Sequence, residues 1–192
     1  MIMTSFDKAI SCIGWDDTDQ ARIDELGLSL DGQLDELIES LAEDLVQFKE
    51  AQSLTANTRY VQRLHGAIGE WLEGLLDGGF DETHIESRCA FVERALEIDL
   101  KFDDFLMLET FVRHRLGGDG ALFGNGVTVL DKALCLDLAL IHSCYTQQRE
   151  AKMERELLDQ FLRITGFSRS LYENLAEARG WQPIGLEQSD MG

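Results

Sequence analysis

Apolar residues along the chain recur every three or four positions, which is the spacing of one face of an α-helix. The clearest example is "LDELIESLAEDLVQF", where the apolar stripe consists of Leu34, Leu37, Leu41, Leu45 and Phe48. No stretch shows the sustained alternation of apolar and polar residues that a half-buried β-strand requires. The pattern therefore predicts an all-α protein.

Breaks between the stripes predict where the helices end. Asp81 is a candidate N-cap, and Ser170 with Glu173 forms a candidate capping box for the last helix. We expect an N-terminal extension over residues 1–18, one helical domain over 19–180 and a flexible tail over 181–192. The predicted helices cover approximately residues 19–28, 33–52, 59–76, 82–100, 103–116, 127–164 and 170–179.

The long helix that starts at Val127 has two apolar stripes. One consists of Leu130, Leu134, Leu138, Ile141 and Tyr145, and the other of Leu136, Leu140 and Cys144. Two stripes give one helix more apolar surface than its own domain readily covers, so we expect a homodimer. Its predicted interface residues are Leu134, Leu138, Ile141 and Tyr145. The alternative is a monomer that buries this helix on both sides.

Composition narrows the classes of function. The chain has 36 acidic and 17 basic residues and a net charge of −19. A surface of this charge repels nucleic acid and anionic membranes, and no apolar run approaches the ~20 residues of a membrane span. The N-terminal segment lacks the basic start and long apolar core of a signal peptide. We therefore expect a cytoplasmic protein that binds neither nucleic acid nor membrane.

Candidate chemistry is sparse. The four cysteines, Cys12, Cys89, Cys135 and Cys144, form no Cys-x-x-Cys pair, so free thiols are expected. No arrangement of nucleophile and base is evident from spacing, and no metal site is expected, which indicates a protein that is not an enzyme. We expect His84 and His114 to be exposed and His142 to be a buried, hydrogen-bonded imidazole.

The histidine that is compatible with a cofactor is His65. It lies beside the stripe that contains Ile68 and Leu72, and Gly66 and Gly69 leave room next to it. An inward histidine with space beside it is compatible with a planar cofactor such as haem. Ordinary packing of a core histidine is the other interpretation.

Three segments carry a pattern of helices and turns that is familiar as a set. They are "LDELIESLAEDLVQF", "RYVQRLHGAIGEWLEGLLDGGFDETHIESR" and "VLDKALCLDLALIHSCYTQQRE". Together they resemble the globin domain of globin-coupled sensors and protoglobins. The resemblance implies a globin-like sensor fold, a single domain with a long C-terminal helix and helices around a pocket. It also implies a homodimer in which the final two long helices of each subunit form a four-helix bundle.

The resemblance also implies where haem-carrying members hold their cofactor. It places an iron-ligating histidine at Trp71, the distal tyrosine that bonds a haem-bound gas at Ala42, and a further histidine at Ala95. An indole donates a hydrogen bond but cannot ligate iron. We therefore expect Trp71 to fill the former haem pocket and to supply apolar burial there.

Two functions remain open at this point. The first is a non-enzymatic, haem-free globin-type sensory or regulatory module that needs no cofactor and signals through helix packing to a protein partner. The alternative is a haem-binding gas (oxygen) sensor in which His65 is the iron ligand. A helical interaction domain unrelated to globins is a third interpretation.

Overall fold

A computed structural model describes residues 2–49, 58–77, 79–117 and 126–180. Within these residues the chain forms eight helices and no strand, which confirms the all-α prediction. None of the described helices is both long and apolar enough to cross a lipid bilayer. The helices are α1 (Ile2–Ile13), α2 (Asp17–Leu30), α3 (Leu34–Phe48), α4 (Thr58–Asp77), α5 (Glu82–Glu97), α6 (Phe102–Gly117), α7 (Gly126–Thr165) and α8 (Arg169–Arg179).

The chain consists of two compact units, Met1–Tyr145 and Thr146–Gly192, and α7 belongs to both. In the first unit α4 packs against α2, α3 and α5, and α3 also packs against α6. Buried apolar side chains from α1 to α7 form a single core. The second unit contains the rest of α7, followed by α8.

Helix α1 lies in the segment that the sequence pattern left without a helix. Its Phe6 is buried in the core, where its ring lies 6.0 Å from that of Phe80. Trp15, just after α1, meets Phe80 edge-on at 4.9 Å. The first residues therefore contribute to the core, and the helical spacing of Phe6, Ile10 and Ile13 was a signal that the sequence analysis missed.

Side-chain caps fix where several helices begin. Asp16 accepts hydrogen bonds from the backbone N–H groups of Thr18 and Asp19, so α2 begins two residues before the predicted start. Asp81 accepts one from the N–H of His84 at 2.8 Å, which confirms the predicted cap of α5. The predicted Ser170 box is wrong, because Ser168 caps α8 by accepting from the N–H of Leu171.

Both apolar stripes of α7 are covered by the chain's own core. Leu134 and Ile141 are buried, and Leu138 and Tyr145 are half-buried against the same core. The second stripe is buried as well, with Leu136, Leu140 and Cys144 fully enclosed. Leu134 and Ile141 are therefore covered within the single chain, whereas Leu138 and Tyr145 keep part of their surface exposed. The homodimer predicted on this stripe stays a prediction.

Candidate functional site

The interior of the first unit contains a tryptophan that is hydrogen-bonded to a carboxylate. Trp71 lies on α4, and only 2% of its surface is exposed. Its Nε1–H donates to Asp137 Oδ2 on α7 at 2.8 Å. Its ring centroid lies 6.4 Å from that of Phe105. Both the apolar body and the polar edge of Trp71 therefore have partners inside the core.

The same carboxylate is paired with a buried arginine. Arg88 Nε on α5 lies 2.7 Å from Asp137 Oδ1, and both side chains are at most 3% exposed. Arg88 Nη2 donates to the backbone carbonyl of Trp71 at 2.8 Å. Trp71, Arg88 and Asp137, which we call the buried triad, join α4, α5 and α7. Two charges that have left water are held by each other and by neutral partners.

A glycine on α4 makes room for this arrangement. A Cβ atom at Gly74 would lie 2.8 Å from Arg88 Nη1, closer than a real Cβ contact allows. Since Arg88 is held by Asp137 and by the carbonyl of Trp71, its guanidinium has little freedom to withdraw. Gly74 is therefore required by the close approach of the arginine to the helix backbone.

His84 lies near the triad and is buried, so the prediction that it is exposed is wrong. Its imidazole meets Phe80 at 5.0 Å, and only 8% of the residue is exposed. Burial lowers the pKa of His84, and the positive charge of Arg88 lowers it further. The neutral imidazole is consequently favoured in the folded protein.

The other two exposure predictions for histidine have opposite outcomes. His114 is exposed, as predicted. His142 is also exposed, which contradicts the prediction of a buried imidazole. Its ring packs edge-on against Phe102 at 4.9 Å. The contact that the structure shows for the His142 imidazole is therefore a ring contact with Phe102 near the surface, not a hydrogen bond in the interior.

The prediction of four free thiols is wrong for two of them. Cys89 on α5 and Cys144 on α7 form a disulfide between residues that are 55 positions apart. Cys12 and Cys135 are free and exposed. The disulfide joins the same two helices as the ion pair between Arg88 and Asp137.

The three positions that the resemblance assigns to a haem pocket do not fit a haem group. Haem requires an axial ligand and an open slot for the macrocycle. Ala42, Trp71 and Ala95 provide no ligand atom, and each is at most 2% exposed in the packed core. The indole of Trp71 is fixed by Asp137, whose charge is in turn matched by Arg88. The chain's own side chains thus occupy this interior.

The fallback ligand, His65, lies elsewhere on α4. It precedes Trp71 by six positions, which turns the two side chains about 120° apart around the helix axis. His65 is half-buried and lines an open groove of about 590 Å³ together with four carboxylates. These carboxylates would repel the propionate groups of a haem. The lining acids are Asp35, Glu39, Glu70 and Glu73.

The described part of the chain includes no group of three or more histidine, cysteine or acidic side chains that could hold a metal ion. The arrangement that stands out is thus structural and electrostatic, a buried charge pair beside a buried histidine.

Sequence reasoning missed Arg88, Asp137 and the burial of His84. One signal was present, because Asp137 stands in the otherwise apolar run "LCLDLALI". An acid on the buried face of a helix requires a cationic or hydrogen-bonding partner. The identity of that partner depends on how α5 and α7 pack, and the sequence pattern did not contain this information.

The all-α architecture, in which helices pack around one buried core, is that of a globin-type domain. A family model described as Protoglobin matches residues 2–151, which is most of the chain, and the chain belongs to the protoglobin family. The matched region includes α1 and ends within α7. No curated protein matches the chain. Membership of this family gives the chain the globin fold.

Proposed function

We propose that this protein is a haem-free, non-enzymatic globin-type sensory or regulatory module. The observation that carries the proposal is the buried triad at the position where the resemblance expects an iron ligand. A hydrogen-bonded indole and an ion pair fill the interior, and no ligand atom is offered at Trp71 or Ala95. A globin that retains its fold without the cofactor retains the helix packing as a means of transmitting a signal.

Helix α7 provides a route for such a signal. Its first part carries Asp137 in the core, and the same helix continues to Thr165 in the second unit. An event that alters the pairing of Asp137 would change how this part of α7 is held. We propose that a protein partner reads such a change.

The test is a haem titration of the purified full chain, followed by the violet Soret absorption band. We expect free haem only, with no sharp band and no stoichiometric endpoint. Two matched variants, Trp71→His and His65→Ala, are titrated in parallel. A band gained only by Trp71→His would support the assignment of Trp71 to the former pocket.

The outcome that contradicts the proposal is equally definite. If the unmodified chain binds haem stoichiometrically and His65→Ala abolishes the band, the protein is a haem-binding gas sensor with His65 as its ligand. If it binds haem and His65→Ala has no effect, the haem-free proposal is wrong and the ligand is another residue. Circular dichroism of each variant verifies that the helices remain folded.

A further inference from the structure

The two cysteines of the disulfide between α5 and α7 lie in different surroundings. Cys89, on α5, is half-buried at the edge of the core. Cys144, on α7, is 0% exposed. The rate of attack on a disulfide depends on which of its sulfur atoms the attacking thiolate can reach. A thiol in solution therefore has access to the bond from the side of Cys89, while the protein covers the side of Cys144.

The disulfide lies where α7 leaves the core of the first unit. Cys144 is the last residue of α7 that this core buries, and the first unit ends at the next residue, Tyr145. The next buried residue of the helix is Leu158, which lies about 21 Å further along at 1.5 Å per residue. The bond to Cys89 is therefore the last attachment of α7 to the core of the first unit.

A second attachment between the same helices does not depend on the disulfide. Asp137 precedes Cys144 by about two helical turns, so that both side chains lie on the side of α7 that faces α5. Its carboxylate pairs with Arg88, the residue just before Cys89. Opening the disulfide thus leaves the helices joined by the buried ion pair. The effect of opening is confined to the part of α7 that follows Asp137.

The other two cysteines indicate the surroundings in which this bond would react. Cys12 and Cys135 are free and exposed. Exposed free thiols persist in reducing compartments, where small thiols keep them reduced. A disulfide that forms under such conditions is usually transient or redox-sensing. The combination of one half-accessible disulfide with two exposed thiols therefore favours a bond that opens and closes.

We propose that Cys89 is a site of thiol–disulfide exchange with a low-molecular-weight thiol such as glutathione, and that Cys144 is its enclosed resolving partner. The redox state of the pair then sets whether the end of α7 in the first unit is covalently held. This proposal goes beyond the proposed sensory function and stands whether or not the core binds haem.

Reduction takes place in two exchange steps. The thiolate of the small thiol attacks Cys89 Sγ, and the bond between Cys89 and Cys144 breaks. Cys144 leaves with the electron pair and takes up a proton, so that Cys89 carries a mixed disulfide. A second small thiol attacks the outer sulfur of this mixed disulfide and releases Cys89 as a thiol. Two small thiols thereby become one disulfide, and the protein gains two electrons and two protons.

The enclosed position of Cys144 makes the exchange slow. A charged thiolate is costly in an apolar interior, and Cys144 is transiently a thiolate when it leaves Cys89 and when it attacks the mixed disulfide. Reoxidation by glutathione disulfide follows the same two steps in reverse. We therefore expect exchange over minutes to hours, the usual range of uncatalysed disulfide rearrangement.

The first test compares the reactivity of the two cysteines one at a time. Cys12→Ser/Cys135→Ser removes the exposed thiols, and Cys144→Ala or Cys89→Ala is then added to leave a single cysteine. Each folded variant is treated with glutathione disulfide, and intact mass spectrometry follows the addition of one glutathione. The variant that retains Cys89 should react roughly 100-fold faster than the one that retains Cys144. In urea, where neither cysteine is enclosed, the matched control reactions should proceed at similar rates.

The second test uses the native pair of cysteines. The chain with Cys12→Ser/Cys135→Ser is oxidised, treated with reduced glutathione and quenched with acid, and peptide mapping locates the mixed disulfide. We expect it on Cys89. Hydrogen exchange should show that amides of α7 near Cys144 exchange roughly tenfold faster once the bond is open, whereas those near Asp137 stay protected. If a single-cysteine variant is not folded by circular dichroism, this test still decides where the thiol reacts.

Four results would overturn the proposal. The first is equal reactivity of Cys89 and Cys144 in the folded variants, and the second is a mixed disulfide found on Cys144. The third is a bond that glutathione opens in urea but leaves intact in the folded chain for hours, which would make it a purely structural bridge. The fourth is hydrogen exchange near Cys144 that is the same in the oxidised and reduced chains, which would show that the bond does not hold α7.

Discussion

A buried charge pair such as Arg88 and Asp137 contributes to the fold in an asymmetric way. Two ions that leave water lose hydration energy, and their mutual attraction restores about as much as they lose. Removing one of them leaves an uncompensated charge in the core, which is far more costly. Asp137 carries the larger consequence, because it also accepts the indole N–H of Trp71.

Substitution of either member of the pair should destabilise the protein strongly. We expect Arg88→Met or Asp137→Leu alone to lower the free energy of unfolding by about 3–5 kcal/mol. The double variant should be less destabilised than the sum of the two, since no unpaired ion remains. Unfolding by urea, followed by circular dichroism, gives all three values.

The control for this cycle is a pair on the surface. Arg94 pairs with Glu70, and both side chains are about half exposed. Arg94→Met should cost at most about 1 kcal/mol. If Arg88→Met cost no more than Arg94→Met, the guanidinium of Arg88 would be hydrated and the buried triad would not exist in solution.

His84 should make the stability of the protein depend on pH. The pKa of its imidazole is lowered from 6.5 in the folded state, first by burial and second by Arg88. The unfolded chain therefore binds a proton at a higher pH than the folded chain. The stability that His84 contributes is fully present above pH 6.5 and falls as the pH drops through the folded pKa, by at most about 1.4 kcal/mol per pH unit.

The measurement compares urea unfolding between pH 5 and pH 7 for the unmodified chain and two variants. His84→Leu should lose most of the slope, because leucine remains neutral in the buried position. His114→Gln, which alters an exposed histidine, should retain it. An unchanged slope in His84→Leu would mean that other groups cause the pH dependence in this window.

At the scale of helices, the sequence predicted the features that depend only on residues close together along the chain, such as apolar stripes and helix caps. The cap at Asp81 and most of the stripe of α3 are local features that are found where the pattern placed them. Phe48, at the end of that stripe, is 47% exposed and does not belong to the core. Helix α1 was missed although Ile2, Phe6, Ile10 and Ile13 recur at helical spacing, because the segment was assigned to an N-terminal extension. At His142, the fully buried neighbours Leu140 and Ile141 lie on other faces of α7, so an apolar run in the sequence did not mean that the histidine was buried.

Features that depend on packing between helices could not be predicted from the sequence for a different reason. Cys89 and Cys144 are separated by 55 positions and belong to no spacing motif. Their pairing follows from how α5 lies beside α7, as does the pairing of Arg88 with Asp137. The candidate pocket positions came from a family resemblance, and only the structure could show what surrounds them.

The disulfide between α5 and α7 should stabilise the folded chain measurably. Closing a loop of this length restricts the unfolded chain and corresponds to about 4 kcal/mol in the chain-entropy description. We expect a thiol-free reductant such as a phosphine to lower the free energy of unfolding by up to this amount. In a reducing compartment, where the two thiols would be free, the reduced form is the relevant one.

Two variants make this measurement specific. Cys144→Ala should resemble the reduced protein and should not respond to the reductant. Cys12→Ser/Cys135→Ser removes the two exposed thiols and should respond as the unmodified chain does. A Cys144→Ala protein as stable as the oxidised one would show that this bridge does not contribute to stability.

At the scale of the whole molecule, charge is unevenly distributed along the chain. Nearly all of the net charge of −19 falls on residues 1–145, while residues 146–180 are balanced. Like charges on a compact unit repel each other and favour the unfolded chain, in which they lie further apart. Residues 146–180 add little to this repulsion, because their acidic and basic side chains are equal in number.

Salt should therefore stabilise the protein. Sodium chloride shortens the range of the repulsion to about 10 Å at 0.1 M and to about 3 Å at 1 M. It also weakens exposed ion pairs such as Arg115 with Asp44, but each of those contributes only about 0–1 kcal/mol. The pair of Arg88 and Asp137 is shielded by burial.

Repulsion should prevail, so that the free energy of unfolding rises by roughly 1 kcal/mol between low and moderate salt. Urea unfolding at fixed pH and protein concentration measures this, and a fall in stability with salt would show that attractive pairs dominate the surface.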